Sequence, residues 1–264
     1  MERSSVRKHL IISWGLLMTL FIPLIATLAY SLSTTWGATV VPDGITFKWY
    51  GDLFSEKRFL EALGRSINIS MMSLSISTLI TVPAVLVVYY YFPKWLKVMD
   101  ILSIIPFTVP AVVMVVGFLK IYSSGPLILV GTKWILIGAH FTLIFPFLYR
   151  GIKNSLEGIN IRELIEAANM LGASNFQGFK MVIIPNLNKG FVAALLLSFS
   201  LVFGEFLYSN MLAGGSYETI QVYLFNMKGK SGHFTGAIVI TYFLFILITT
   251  IGAFKLNNII KKEK

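Results

Sequence analysis

Few residues in this chain could do chemistry. Glu205 is the one acid set inside a long apolar stretch. An ionised carboxylate there costs on the order of 2.5–3.5 kcal/mol on membrane-insertion scales, so it must face protein or water. Two roles stay open for it: lining a polar pathway, or a buried hydrogen bond or ion pair that locks helices together. His140 lies in the middle of another apolar stretch. Metal binding would need companion ligands, and the sequence offers none at ligand spacing, so a structural histidine is expected and no metal or other cofactor. Gly229-Lys230-Ser231 matches the tail of a phosphate-binding loop, but Leu224 stands where its first glycine belongs. Without that cradle the chain cannot hydrolyse a nucleotide. No Ser/His/Asp order, His-x-x-x-His pair or paired intramembrane carboxylate suggests an enzyme. The absence of cysteine excludes disulfides, thiolate metal sites and Cys nucleophiles.

What must position these residues is a membrane. Of 264 residues, 56% are hydrophobic and 13% charged. A soluble domain has about 45–50% apolar residues even counting Gly, and about 25% charged ones. Disorder is excluded by 21 Phe, 11 Tyr and 5 Trp. A crossing needs ~20 mostly apolar residues. Six stretches qualify, at 10–32, 66–92, 101–122, 134–149, 191–212 and 235–254, within a single membrane domain over 1–264. The second is long enough to bend, with Pro83 the place for it; the fourth is short and carries Pro146 near its end. The first exceeds the apolar core of a signal peptide and is expected to stay as a span.

Lys and Arg give the orientation. With the N-terminus inside, 14 of the 22 fall on inner segments, from Arg3, Arg7 and Lys8 to Lys261, Lys262 and Lys264, and 8 on outer ones. Both termini are therefore expected in the cytoplasm of a multi-pass cell-membrane protein. The net charge of +10 reflects this bias rather than nucleic-acid binding. Trp14, Trp36, Trp49, Trp95 and Trp134, with the run Tyr89-Tyr90-Tyr91-Phe92, fall near span ends as an aromatic belt would. The external segment 33–61 is expected to form a small ordered cap.

Residues 150–189 form a connection of about forty residues, too long for a structureless loop. Asn160 can cap a helix, with Glu163 reaching back in a capping box. Ile161, Leu164, Ile165, Ala168 and Leu171 follow as one apolar stripe, and Gly172 falls where a left-handed C-cap belongs. Ser174 with Gln177 starts a second helix, whose Phe176, Phe179, Val182 and Ile183 keep the period up to Pro185. The polar face lacks the cations of an interfacial helix. The stripe is therefore expected to fill a groove on a partner protein.

Glu166-Ala167-Ala168, three residues, Gly172, nine residues, Val182, one residue, then Ile184-Pro185 resembles the EAA motif of bacterial ABC importer permeases. Every gap is kept; Ile replaces the usual Leu before the proline, and Val the usual Ile. The likeness is most specific over 163–185. It implies an all-α, polytopic membrane fold of six transmembrane helices with a cytoplasmic coupling helix, the type I transmembrane domain of ABC importers. It implies that Glu166, Ala167, Ala168 and Gly172, with Leu164, Ile165 and Leu171, couple to a cytoplasmic ATPase. The implied partners are a second, related permease, two ATP-binding subunits, an external solute-binding protein and the lipid bilayer, with no nucleic acid.

Phe203-Gly204-Glu205-Phe206 resembles a Gly-Glu-Phe seen at this place in several such permeases, including ones for anions. Pro106 and Pro110, with Val112, Val113 and Gly117 after them, resemble the third span of the polyamine, phosphonate, iron and sulfate type. Both prolines should bend it, as a static kink or as an opening of backbone groups toward the pathway. Residues 214–219 resemble the polyamine type's external turn. The resemblance thus implies a transport subunit that is not an enzyme and moves a small polar solute by alternating access. Spermidine or putrescine stands ahead of 2-aminoethylphosphonate, then iron or another small solute. A stand-alone secondary transporter would call for an inverted repeat and intramembrane charge pairs, and neither is visible.

Overall fold

A computed structural model describes residues 2–37, 39, 42–187 and 189–262. Lys264, counted above toward the inner side, lies outside them, and the side chains of Arg3, Arg7, Lys8, Lys189, Lys261 and Lys262 are also outside the description. The fold is helical almost throughout. Helix α1 (Glu2–Ser31) covers the first apolar stretch. Leu16, Leu20 and Phe21 on it are exposed, as on a helix solvated by lipid. The external segment holds an antiparallel pair, β1 (Ser33–Thr35) and β2 (Asp43–Ile45), with Ser33 opposite Ile45 and Thr35 opposite Asp43. Helix α2 (Lys48–Ser55) follows. Trp36 and Trp49 donate their indole N–H groups to the carbonyls of Thr39 and Ser33, each at 2.9 Å, so this segment itself pins their rings.

Helix α3 (Lys57–Tyr91) starts ahead of the expected residue 66 and runs unbroken through Pro83. The third stretch is α4 (Leu96–Thr108) and α5 (Ala111–Tyr122), bent by 99°. Pro106 lies inside α4 without ending it. The break falls at Pro110, because a residue before proline is driven out of the helical region and Val109 is extended, at φ −92° and ψ 123°. The fourth stretch is also corrected: α6 (Lys133–Glu157) has 25 residues and continues through Pro146, so 150–157 belong to it. Its buried stripe at Ile144, Leu148, Ile152 and Leu156 never loses the four-residue period, although Arg150, Lys153 and Asn154 end the apolar run.

Next come α7 (Ile161–Met170), α8 (Asn175–Gly178), one π turn at Phe179–Ile183 and α9 (Ile184–Asn186). The fifth stretch is not one helix. Helix α10 (Lys189–Phe203) ends before Gly204, and the chain resumes as a π turn at Ser209–Ala213 and a 3-10 turn at Gly214–Tyr217. Helices α11 (Ile220–Asn226) and α12 (Gly232–Lys262) follow. Among the described residues, four helices are long and apolar enough to cross a membrane unaided. The number is six if α4–α5 and the pair Asn175–Asn186 and Gly190–Phe203, bent by 76°, each count as one crossing.

These elements gather into two compact units, Met1–Glu61 with Tyr223–Gly252, and Ala62–Val222 with Ala253–Lys264. In the first, the His233 ring stacks on Tyr30 at 4.1 Å and on Trp49 at 5.6 Å. In the second, α6 packs on α10 through small residues. A Cβ on Gly151 would collide with that of Ala194 and stand 3.2 Å from the Gly190 carbonyl oxygen. Lipid tails are as apolar as Leu, so close backbone approach must hold such helices together.

Candidate coupling elbow and intramembrane carboxylate

The EAA segment forms an elbow whose shape follows from local backbone chemistry. Asn160 accepts from the Glu163 N–H at 3.4 Å, which satisfies one orphan donor of α7; this is one half of the expected capping box. Gly172 takes φ 83°. Its N–H reaches the Asn169 carbonyl at 2.9 Å, and that of Ala173 reaches Ala168 at 3.1 Å, the two bonds of a Schellman turn. The second box is complete: Gln177 N–H donates to Ser174 Oγ at 3.3 Å, and Ser174 N–H to Gln177 Oε1 at 2.8 Å.

Three residues of the apolar stripe face inward, which corrects the role expected of them, while Leu164 is only half-buried and Leu171 is exposed. Ile161, Ile165 and Ala168 are buried. Ile161 and Ile165 belong to a cluster with Val82, Val85 and Leu86 of α3, Ile152 and Leu156 of α6, and Ile183 and Leu187. Ile165 and Ala168 therefore cannot be gripped by a partner. Gly178 permits this packing, because a Cβ there would lie 2.8 Å from Ile165 Cδ1. What stays free is the opposite face and the tip. Glu166 and Ala167 are exposed; so are Met170 (83%), Leu171 (90%), Phe176 (73%) and Met181 (69%). Leu164, Ala167, Leu171, Gly172 and Met181 line a shallow cleft of about 530 Å³ beside them.

The elbow is tied to the helices behind it. Asn169 donates to Asn175 Oδ1 at 2.8 Å, and Asn175 donates to the Tyr91 hydroxyl at 2.9 Å. Tyr90 meets Phe179 edge-on at 5.4 Å. The Tyr89–Phe92 run thus supports the elbow as well as ending α3. On α4, Asp100 holds Lys153 of α6 at 2.7 Å.

Glu205 sits at the break after α10. One oxygen accepts from the Tyr208 N–H at 2.6 Å; the other accepts from the Ser209 N–H at 2.9 Å and the Ser209 hydroxyl at 3.1 Å. The carboxylate caps the next helical turn, where the exposed N–H groups favour a negative charge. His140, fully buried, places Nε2 at 3.8 Å from the same oxygen, beyond hydrogen-bond range. Its Nδ1 lies 3.0 Å from Ser73 Oγ. Ser73 belongs to a seam of buried hydroxyls, Ser66, Ser70, Ser73, Ser77 and Thr81, whose helical spacing is itself a signal in the sequence. Further along, Arg65 Nε donates to the Glu218 carbonyl at 2.8 Å and Tyr217 donates to that of Arg65 at 3.3 Å, so the 214–219 turn is clamped onto α3. Burial pushes the Tyr217 phenol above its ordinary range and keeps it a donor. Pro106 lies on α4 and Pro110 at the break before α5, whose Met114 sulfur accepts from the Tyr208 hydroxyl at 3.7 Å. No three metal-ligating side chains come together among the described residues.

Residues 84–262 match the family described as binding-protein-dependent transport system inner membrane component. The chain is 31% identical, over 92% of its length and 89% of the relative's, to a permease of Salmonella paratyphi A whose name assigns it to 2-aminoethylphosphonate transport. It is 29% identical, over 79% of its length and 77% of the relative's, to the spermidine/putrescine transport system permease protein PotC of Escherichia coli strain K12. Its fold matches a chain of a bacterial ABC transporter that imports alginate, with a TM-score of 0.72 at 17% identity over 97% of both chains. It also matches a chain of the MetNI methionine ABC transporter, with a TM-score of 0.58 at 16% identity over 75% of this chain and 94% of the other. The chain belongs to the binding-protein-dependent transport system inner membrane component family: it is a multi-pass membrane permease subunit of an ABC importer.

Proposed function

We propose that this permease, paired with a second one, moves a small solute carrying a primary ammonium group, delivered by an external binding protein and driven by two cytoplasmic ATPase subunits. Polyamines and 2-aminoethylphosphonate are equally supported as that solute, since relatives named for each align along most of the chain. The two solutes share a protonated amine on a short alkyl chain. Both bent pairs count as single spans in this proposal, giving six in one domain, with both termini cytoplasmic. Coupling runs through the exposed side of the elbow, Glu166, Ala167, Leu171 and Gly172, with Leu164 at its edge.

One observation carries the coupling assignment. Residues α7 does not need for its own packing, Met170, Leu171 and Phe176, are the ones left bare beside Glu166-Ala167, on a turn held by a Schellman motif. A push on that tip reaches α3 and α6 through Ile165. Pro110 and Glu205 mark the two breaks at which spans could pivot, and these positions with Pro106 are the proposed pathway region. The test is co-purification with the ATPase and solute-stimulated ATP hydrolysis in membranes, with putrescine, spermidine and 2-aminoethylphosphonate as separate solutes. Glu166→Arg and Leu171→Asp should abolish both readouts while the chain still inserts. Survival of both would remove the assignment, and stimulation by none of the three amines would remove the solute class.

A further inference from the structure

Within the first compact unit, an open cleft of about 690 Å³ lies between α1 and α12. Its two ends differ. Tyr30 abuts Gly232 at the start of α12, the end that Lys228 and Lys230 precede, and Ala26 and Val239 line the cleft one to two turns further along the two helices. Helix α12 starts at this cationic end, so the N–H groups of a 31-residue helix add positive potential there. Glu56 offsets part of it, since Lys230 Nζ lies 3.4 Å from its carboxylate, which also accepts from Tyr223 at 2.8 Å. Lys228 Nζ stands over the Phe225 ring at 4.2 Å. From Gly232 to Val239 the helix rises about 10 Å, close to the step from a lipid phosphate to its first acyl carbons.

We propose that this cleft binds an anionic glycerophospholipid, its phosphate between Lys228 and Lys230 and an acyl chain against Ala26 and Val239. Charge complementarity selects the headgroup, and the apolar floor selects a lipid over a free anion. In the orientation proposed above these cations lie outside, where short connections are normally poor in Lys, so their presence has a use. The binding test itself does not depend on that orientation, nor on the solute or the coupling assignment.

The full chain, delipidated in detergent both alone and with its transporter partners, is titrated with dioctanoyl-phosphatidylglycerol, dioctanoyl-phosphatidylcholine and inorganic phosphate. Bound lipid is read by native mass spectrometry and by melting temperature. Phosphatidylglycerol should bind one per chain in both preparations and raise the melting temperature. Lys228→Gln/Lys230→Gln should weaken it about 30-fold. Val239→Phe, which fills the apolar end, should weaken it without altering the melting temperature of the lipid-free protein. Equal binding of phosphatidylcholine, displacement by inorganic phosphate, unchanged binding in the lysine variant, or loss of binding once the partners are present would each overturn the proposal.

Discussion

Lys153 Nζ lies 2.7 Å from one oxygen of Asp100 and 3.0 Å from the other, and Tyr149 donates its hydroxyl to the same carboxylate at 2.8 Å. The pair joins α4, ahead of the break at Pro110, to the part of α6 that carries Ile152 and Leu156, against which the elbow packs. The side chains are 24% and 43% exposed, so solvent screens the attraction and its worth to stability is at most about 1 kcal/mol. Asp100→Asn should therefore shift the melting temperature little but reduce transport-coupled ATP hydrolysis severalfold. The swap Asp100→Lys/Lys153→Asp should restore part of it. A large melting shift with coupling intact would show the pair to be a brace only.

Gly178 sets the depth at which α8 seats on α7. Gly178→Leu would drive a branched side chain into Ile165 and should cost about 1–3 kcal/mol by overpacking. Ile165→Ala alone should cost about 2–5 kcal/mol through the cavity it leaves. Combined, the two should cost less than their sum, because each fills or vacates the same space. Protease sensitivity of the 150–189 segment reads the effect, and strict additivity would refute the shared contact.

Gly151 tests the α6–α10 seam in the same way. Gly151→Ala should lower the yield of folded protein, since the new methyl would collide with Ala194 and press on the Gly190 backbone. Ala194→Gly in the same chain should recover part of the loss. Melting temperature in detergent is the readout, and a silent Gly151→Ala would mean the helices can slide apart without penalty.

Both oxygens of Glu205 are engaged by the turn they cap. Glu205→Gln keeps one acceptor and should cost about 1 kcal/mol, in the range of a lost cap; Glu205→Leu should cost more and leave Tyr208 and Ser209 N–H groups unpaired. If transport falls in Glu205→Gln with no change in melting temperature, the carboxylate acts on the solute pathway as well as on the turn.

The parts of this molecule visible beforehand were those governed by a few adjacent residues. Gly172 had to be left-handed, and Asn160 and Ser174 had to start helices, because orphan N–H and C=O groups are satisfied locally. The direction of the Ile161–Ile165–Ala168 stripe was not visible. A stripe says that one face is buried, not whether the surface covering it is Val82 and Leu86, some eighty residues away, or another protein. The length of α6 is hidden for a related reason: a count of apolar residues ends the stretch at Tyr149, while the helical period continues to Leu156. The break at Glu205 carries no proline, and its cause, a carboxylate held by two backbone N–H groups, exists only once the chain is folded.

The 99° corner at Pro110 has one more consequence. Proline brings no N–H, so the Pro106 carbonyl loses the donor a continuous helix would have provided, and the first amides of α5 begin a new helix without a preceding turn. Bare peptide groups of this kind cannot sit among acyl tails. Wherever the chain settles in the bilayer, that corner must be wetted or covered, which makes it a foothold for water or a companion subunit halfway along an otherwise oily stretch.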